Sequence, residues 1–327
     1  METANTLTPQ AVRAARERIG RYIRRTPLLD SEGLSRQLGC QAYLKAEMLQ
    51  RTGSFKLRGA LNKALQLTPE ELGRGLVASS AGNHAQGLAY AGRLLGARTV
   101  IVMPSTAPQQ KIDNTRALGG QVILFEGRQV DRIAYMERLV REKGYTLVHA
   151  SEDPQVMAGQ GTIALEILED LPDVDTIVVP LGGGGLISGI AVAAKAQNPR
   201  IRVVGVEPAA APKYHESRRE GHPVVIPAGT TLADGIREEV TGKNAYPLVE
   251  RYVDELVLAG EAAIAQALRL LCADAKLAAE GAAVVGLAAL LEGAFQVRPD
   301  EKVCFVLSGG NWEPARLAPV YAGADHL

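Results

Sequence analysis

At 327 residues with 46% hydrophobic content, the chain is long enough for two domains, or one large α/β unit, around a sizeable core. Lysine plus arginine equals aspartate plus glutamate at 36 each, so no net field gathers nucleic acid or an anionic membrane, and any bound anion has to be held locally. Three cysteines, an odd number without metal-ligand spacing, suit a reducing cytoplasm; the charged stretch 1–25 and the lack of an apolar run of about 18 residues argue against secretion and membrane spanning.

The first segment with a chemical reading is Ser54-Phe55-Lys56-Leu57-Arg58-Gly59-Ala60, which follows Gly53 and opens a helical pattern. A lysine on an apolar flank near a helix start has its ammonium form disfavoured, so Lys56 reads as an amine that can attack a carbonyl and later act as a base. A helix lysine snorkelling to water is the plainer alternative. A strand at 76–78 then runs into Ser79-Ser80-Ala81-Gly82-Asn83-His84-Ala85-Gln86-Gly87, ahead of a helix over 86–95. Small residues at a helix N-terminus can grip a carboxylate there, with Asn83 adding an amide donor; a capped Asx-type turn fits equally well, and His84 alone reads as structural.

Further strands are predicted at 99–103, 121–125, 176–180, 201–207 and 303–307, with helices between them, which makes the class α/β with largely parallel sheet. Gly182, Gly183, Gly184 and Gly185 follow the third of these and lead into a helix from about residue 186. Backbone N–H groups at such a turn form a phosphate cradle, while a flexible turn remains the simpler reading. Gly183, Gly185 and Ser188 also approach a dinucleotide fingerprint, with Glu207 where a ribose-binding acid would stand, so a nicotinamide oxidoreductase is the runner-up from this segment. Residues 214–241, rich in charge, glycine and proline, read as surface loop. A long helical pattern follows Glu261, Glu280 reads as a helix-start charge, and the last strand ends in Ser308-Gly309-Gly310-Asn311, a hydroxyl at a strand's carboxyl end. There is no repeat and no long linker, and no separate C-terminal regulatory domain is expected.

In this order the segments resemble the fold-type II pyridoxal-phosphate enzymes, the threonine dehydratase and serine racemase group, from Thr26-Pro27-Leu28 to Ser308-Gly309-Gly310-Asn311. The resemblance implies a tryptophan synthase β-like fold: two open, mostly parallel sheets with flanking helices. Residues 1–73 and 151–327 would form a large cofactor-binding domain, and 74–150 a small one. It implies that Lys56 carries the cofactor covalently, that Phe55 lies beside the cofactor ring, and that Asn83 contacts the ring hydroxyl. Ser80, Ala81, Gly82, Asn83 and His84 would hold the substrate carboxylate, Gly182 to Gly185 the phosphate, and Ser308 the pyridine nitrogen. The expected reaction is α,β-elimination on a β-hydroxy amino acid such as L-threonine or L-serine, giving a 2-oxo acid and ammonia in the cytoplasm. A homo-oligomer, dimer or tetramer, is expected.

Departures from the family pattern narrow these expectations. Serine racemases of the group carry a second serine where this chain has Ala81, which argues against efficient racemisation. A divalent-cation site in some relatives uses the acid matched by Glu207, a backbone carbonyl near Ala211 and a carboxylate aligned with Lys213; a lysine there repels the cation, so no metal is expected. The segment from Glu280 to Gly286 differs from the usual E-P-x-G-A. It looks closer to bacterial relatives concerned with hydroxyectoine-derived compounds or other β-hydroxy amino acids, 3-hydroxyaspartate and phenylserine among them.

Overall fold

Two parallel sheets form because most strands are apolar along their whole length, and such strands need cover on both faces. The computed structural model describes residues 7–80 and 82–325. Its strands are β1 (Leu28–Asp30), β2 (Gln41–Ala46), β3 (Leu76–Ser79), β4 (Thr99–Pro104), β5 (Gly120–Phe125), β6 (Thr146–Leu147), β7 (Thr176–Pro180), β8 (Arg202–Pro208), β9 (Glu255–Ala259) and β10 (Lys302–Leu307). Six build one sheet in the order β1-β2-β10-β7-β8-β9, and four build another in the order β5-β4-β3-β6. Only the β1–β2 pair is antiparallel among the strand pairs described.

In the large sheet β10 lies between β2 and β7, with Phe305 in register with Leu44 on one side and Val178 on the other. Successive residues feed opposite cores, as the pleat requires. Val178, Phe305 and Leu307 enter the cluster that includes the Glu261–Ala275 helix, whereas Ile177, Val179 and Val306 enter the one under the Pro154–Asp170 and Gly185–Gln197 helices. The small sheet shares its core with the Lys56–Ala64 helix through Leu57, Leu61, Leu76 and Leu88. That helix packs between the Asn83–Leu95 and Pro154–Asp170 helices.

The structure corrects two expectations. The stretch predicted as surface loop from Tyr214 opens inside a helix, Lys213–Glu220, and Lys213 and Tyr214 are fully buried. Its composition is charged, but only one face, with Lys213, Tyr214 and Ser217, turns inward. β1, β2, β6 and β9 carry no strand prediction. In β2 the reason is Lys45, which interrupts the apolar run yet is fully buried, donating to Glu166 Oε2 at 2.6 Å and to the Thr26 carbonyl at 2.7 Å.

Candidate active site

A cleft of about 570 Å³ opens where carboxyl ends of strands from both sheets converge: Ser79 from β3, Pro104 from β4, Pro180 from β7 and Ser308 just after β10. Ligands bind at such ends in α/β sheets. Three segments far apart in sequence are stitched together at its floor. Phe55 N–H donates to the Ser308 carbonyl at 3.1 Å and Gly310 N–H to the Gly53 carbonyl at 2.8 Å. Asn311 Nδ2 donates both to the Thr52 carbonyl at 2.9 Å and to Asn83 Oδ1 at 2.8 Å.

Lys56 opens the Lys56–Ala64 helix, and its Nζ donates to the Ala150 carbonyl at 2.9 Å, 5.2 Å from the centre of the Phe55 ring. No carboxylate lies within ion-pair distance among the described residues. Burial pushes its pKa below the ordinary lysine value, and Glu238 and Glu280 oppose this only through space. The amine is thus biased toward its neutral, nucleophilic form.

Asn83 starts the Asn83–Leu95 helix, and its Nδ2 donates to Glu280 Oε1 at 2.7 Å. Glu280 is buried, and burial, helped by Asp234, raises its carboxyl to about 7. Its predicted role as a helix-start charge is corrected: the carboxyl faces the cleft beneath Asn83, and the residues after it form a 3-10 turn before the Val285–Leu291 helix. The run of small residues after Glu280, Gly281-Ala282-Ala283, is the signal that it packs closely.

Ser80 and Gly82 line the cleft in a turn where Gly82 N–H donates to Ser80 Oγ at 3.3 Å. Ala81, between them, lies outside the described residues. His84 also borders the cleft, but its imidazole is buried, with Nε2 2.8 Å from the Val148 carbonyl; burial and the nearby Lys56 depress its pKa to about 3. It is a neutral ring turned away from solvent. Arg132 Nε donates to Ser79 Oγ at 3.0 Å, and nothing in its sequence neighbourhood points to the cleft.

On the opposite wall the four glycines turn into the Gly185–Gln197 helix, and Gly184 takes φ +88°, a left-handed conformation. A Cβ on Gly183 would come 2.6 Å from Ser151 Oγ, and one on Gly185 would come 2.8 Å from the Ser151 carbonyl. Only glycine fits this close wall. The rival dinucleotide reading is corrected here. Glu207 is fully buried and its carboxylate is taken by Lys213 Nζ at 3.0 Å and by the N–H groups of Tyr214 and His215 at 3.0 and 2.8 Å, so no ribose can reach it.

The comparisons with known proteins agree with this geometry. A family model described as pyridoxal-phosphate dependent enzyme matches residues 19–309. The chain belongs to that family. Its cofactor is pyridoxal phosphate, and the residues present fit it: a helix N-terminus walled by glycines suits a phosphate, and a half-buried amine without a carboxylate partner among the described residues suits an aldehyde. This pyridoxal-phosphate enzyme is 48% identical over 306 residues to L-threonine ammonia-lyase of Thermotoga maritima, covering 93% of the chain and 76% of that relative. Among solved structures, maize serine racemase superposes with a TM-score of 0.92 at 36% identity, covering 96% of each chain. The processed form of a threonine deaminase isoform from Solanum lycopersicum superposes with a TM-score of 0.89 at 34% identity, covering 98% of this chain and 96% of that one. No helix among the described residues is long and apolar enough to cross a membrane.

Proposed function

We propose that the chain is an ammonia-lyase that converts a β-hydroxy amino acid, L-threonine first and L-serine second, to a 2-oxo acid and ammonia. The observation that carries the reading is the half-buried amine of Lys56, without a carboxylate partner among the described residues, facing a cleft also lined by a glycine turn at a helix N-terminus. Identity to L-threonine ammonia-lyase supports the substrate class.

Bound in the cleft, pyridoxal phosphate supplies an aldehyde for amines and a ring that withdraws electrons from the substrate α-carbon. Gly182, Gly183, Gly184 and Gly185 would hold its phosphate, Lys56 its aldehyde, Phe55 one edge of the ring, Asn83 the ring hydroxyl and Ser308 the ring nitrogen. Ser80, Ala81, Gly82, Asn83 and His84 would hold the substrate carboxylate at the start of the Asn83–Leu95 helix, where the free N–H groups and the dipole favour an anion. Lys56 would take the α-proton at Nζ, since burial disfavours its ammonium form. Ser308 offers a hydroxyl and no negative charge, so it gives little support to a protonated ring nitrogen. That favours prompt loss of the β-hydroxyl over longer-lived carbanion chemistry. Ala81 supplies no hydroxyl for a proton on the opposite face, which separates this reading from racemisation.

Residues 74–150, read as the small domain, would close over the substrate against 1–73 and 151–327. Unchanged small-angle scattering on adding a tight substrate analogue counts against that closure. The reading includes a cytoplasmic location, supported by three free cysteines, and a dimer or tetramer, which light scattering measures.

The deciding experiment follows 2-oxo acid and ammonia from L-threonine, L-serine, threo-3-hydroxyaspartate, phenylserine and hydroxyectoine-derived amino acids, with chiral analysis of the remaining substrate. Equal release of both products from L-threonine or L-serine is expected. Accumulation of the D-enantiomer without 2-oxo acid overturns the lyase reading in favour of a racemase.

A further inference from the structure

Directly behind the glycine turn lies a pair of buried charges that the chemistry above does not use. Glu207 lies near the carboxyl end of β8 and Lys213 opens the Lys213–Glu220 helix; both side chains are fully buried and 3.0 Å apart. The Glu207 carboxylate also accepts the Tyr214 and His215 N–H groups, so the pair sits at that helix's first turn. Lys213 Nζ reaches one further acceptor, the Leu181 carbonyl at 3.3 Å. Tyr214, also buried, donates its hydroxyl to the Gly183 carbonyl at 3.2 Å and accepts the Gly242 N–H at 3.0 Å.

Two neighbouring side chains thus hold the carbonyls of Leu181 and Gly183 from behind. In a trans peptide the carbonyl and the following N–H point in opposite directions. Fixing those two carbonyls turns the N–H groups of Gly182 and Gly184 away from Lys213 and Tyr214. A run of four glycines has no side chain to set these planes itself and loses the most entropy on ordering, so an external clamp has the most to contribute here.

We propose that Lys213, charge-paired with Glu207, is a tethered cation that fixes the anion-binding conformation of the glycine turn, with Tyr214 as the second half of the clamp. Lys213 is a positioning residue: it touches neither substrate nor cofactor and acts through Leu181 and the turn. The inference rests on the reading of Gly182 to Gly185 as the phosphate site. A pair that merely filled the core would alter stability and leave the phosphate environment unchanged.

The test uses Lys213→Met holoenzyme, with the phosphorus NMR shift of the bound cofactor and the pyridoxal phosphate Kd of the resolved enzyme as readouts. The expected result is a displaced phosphorus resonance and a Kd weakened about tenfold or more. In Lys213→Ala, millimolar methylammonium is expected to recover part of the affinity where sodium at equal ionic strength does not. Wild-type Kd and an unmoved resonance in Lys213→Met overturn the proposal. If that variant does not fold, Tyr214→Phe keeps the ion pair and removes only the hold on Gly183; about a fivefold weaker Kd with a displaced resonance is expected, and wild-type values overturn the proposal. Gly183→Ala separates the two readings. If it weakens the Kd while Lys213→Met and Tyr214→Phe do not, the clamp alone fails; if it too binds as wild type, the phosphate site is wrong.

Discussion

Lys56 and Arg58 stand two residues apart on one helix, both turned inward, in opposite electrical surroundings. Arg58 donates from Nε and Nη2 to Glu47 at 2.9 and 2.8 Å, and from Nη1 and Nη2 to Glu166 at 2.7 and 2.9 Å. Lys45 completes the cluster on Glu166, so two buried cations face two buried carboxylates. Lys56 has a single carbonyl. Burial works against the charge of both. At Arg58 the carboxylates of Glu47 and Glu166 more than offset it and raise the pKa; at Lys56, with no carboxylate in contact, burial wins and lowers it. Burial alone therefore does not make a lysine reactive; burial without a partner does. The paired cluster anchors the helix from which the unpaired amine projects.

The largest expected effect is on turnover. Lys56→Ala should lower 2-oxo acid release by roughly a thousandfold or more while leaving the unfolding midpoint of the resolved enzyme close to wild type. Arg58→Met should do the reverse of this separation, costing about 3–5 kcal/mol in denaturant unfolding because Glu47 loses its cation and Glu166 keeps only Lys45. A loss below about 1 kcal/mol would show that the cluster is wet and contributes no more than a surface pair.

A smaller, pH-dependent effect sharpens the contrast. Unfolded, Lys56 keeps its proton up to about its ordinary value of 10.5; folded, it releases it at lower pH. Between those values the unfolded chain binds more protons, so its burial penalty fades as pH rises. The resolved enzyme carrying Lys56→Met should then be more stable than wild type at neutral pH, with the gain shrinking toward pH 10.5 in thermal unfolding. Arg58 offers no such window. The smallest effect concerns Glu280, whose carboxyl is raised by burial from 4.5 to about 7. The folded resolved enzyme binds the extra proton between those values and loses stability as pH rises through them. Glu280→Gln should gain stability above pH 7 and match wild type below about 4.5; a pH-independent difference would mean the carboxyl is not buried.

Much of this contrast was legible before any coordinates. The apolar runs at β4, β7, β8 and β10 announce a parallel sheet because strands covered on both faces have no polar register to hide them, and β5 adds an apolar run at the edge of the small sheet. Lys56, Asn83, the four glycines and Ser308 were marked by local context, each beside a strand end or helix start. What stayed hidden depends on distant partners. Lys45 and Lys213 look like surface charges until Glu166 and Glu207 are brought to them, and Glu280 looks like a helix cap until Asn83 reaches it across the fold. Arg132 has no local mark at all, because only the packing of its helix on β3 brings it to Ser79. Charged residues were thus misread wherever a partner more than a hundred residues away, or a turn of chain, removed them from water.

The place of β10 also sets the order of events during synthesis. It is inserted between β2 and β7, and Ser308 and Asn311 complete the floor under Lys56 and Asn83. Until residues 302–311 have emerged from the ribosome, the large sheet has a gap in its middle, and the segment bearing Lys56 lacks its neighbours. The cleft around Lys56 is therefore complete only once β10 has been inserted, so the site and the middle of the large sheet form together.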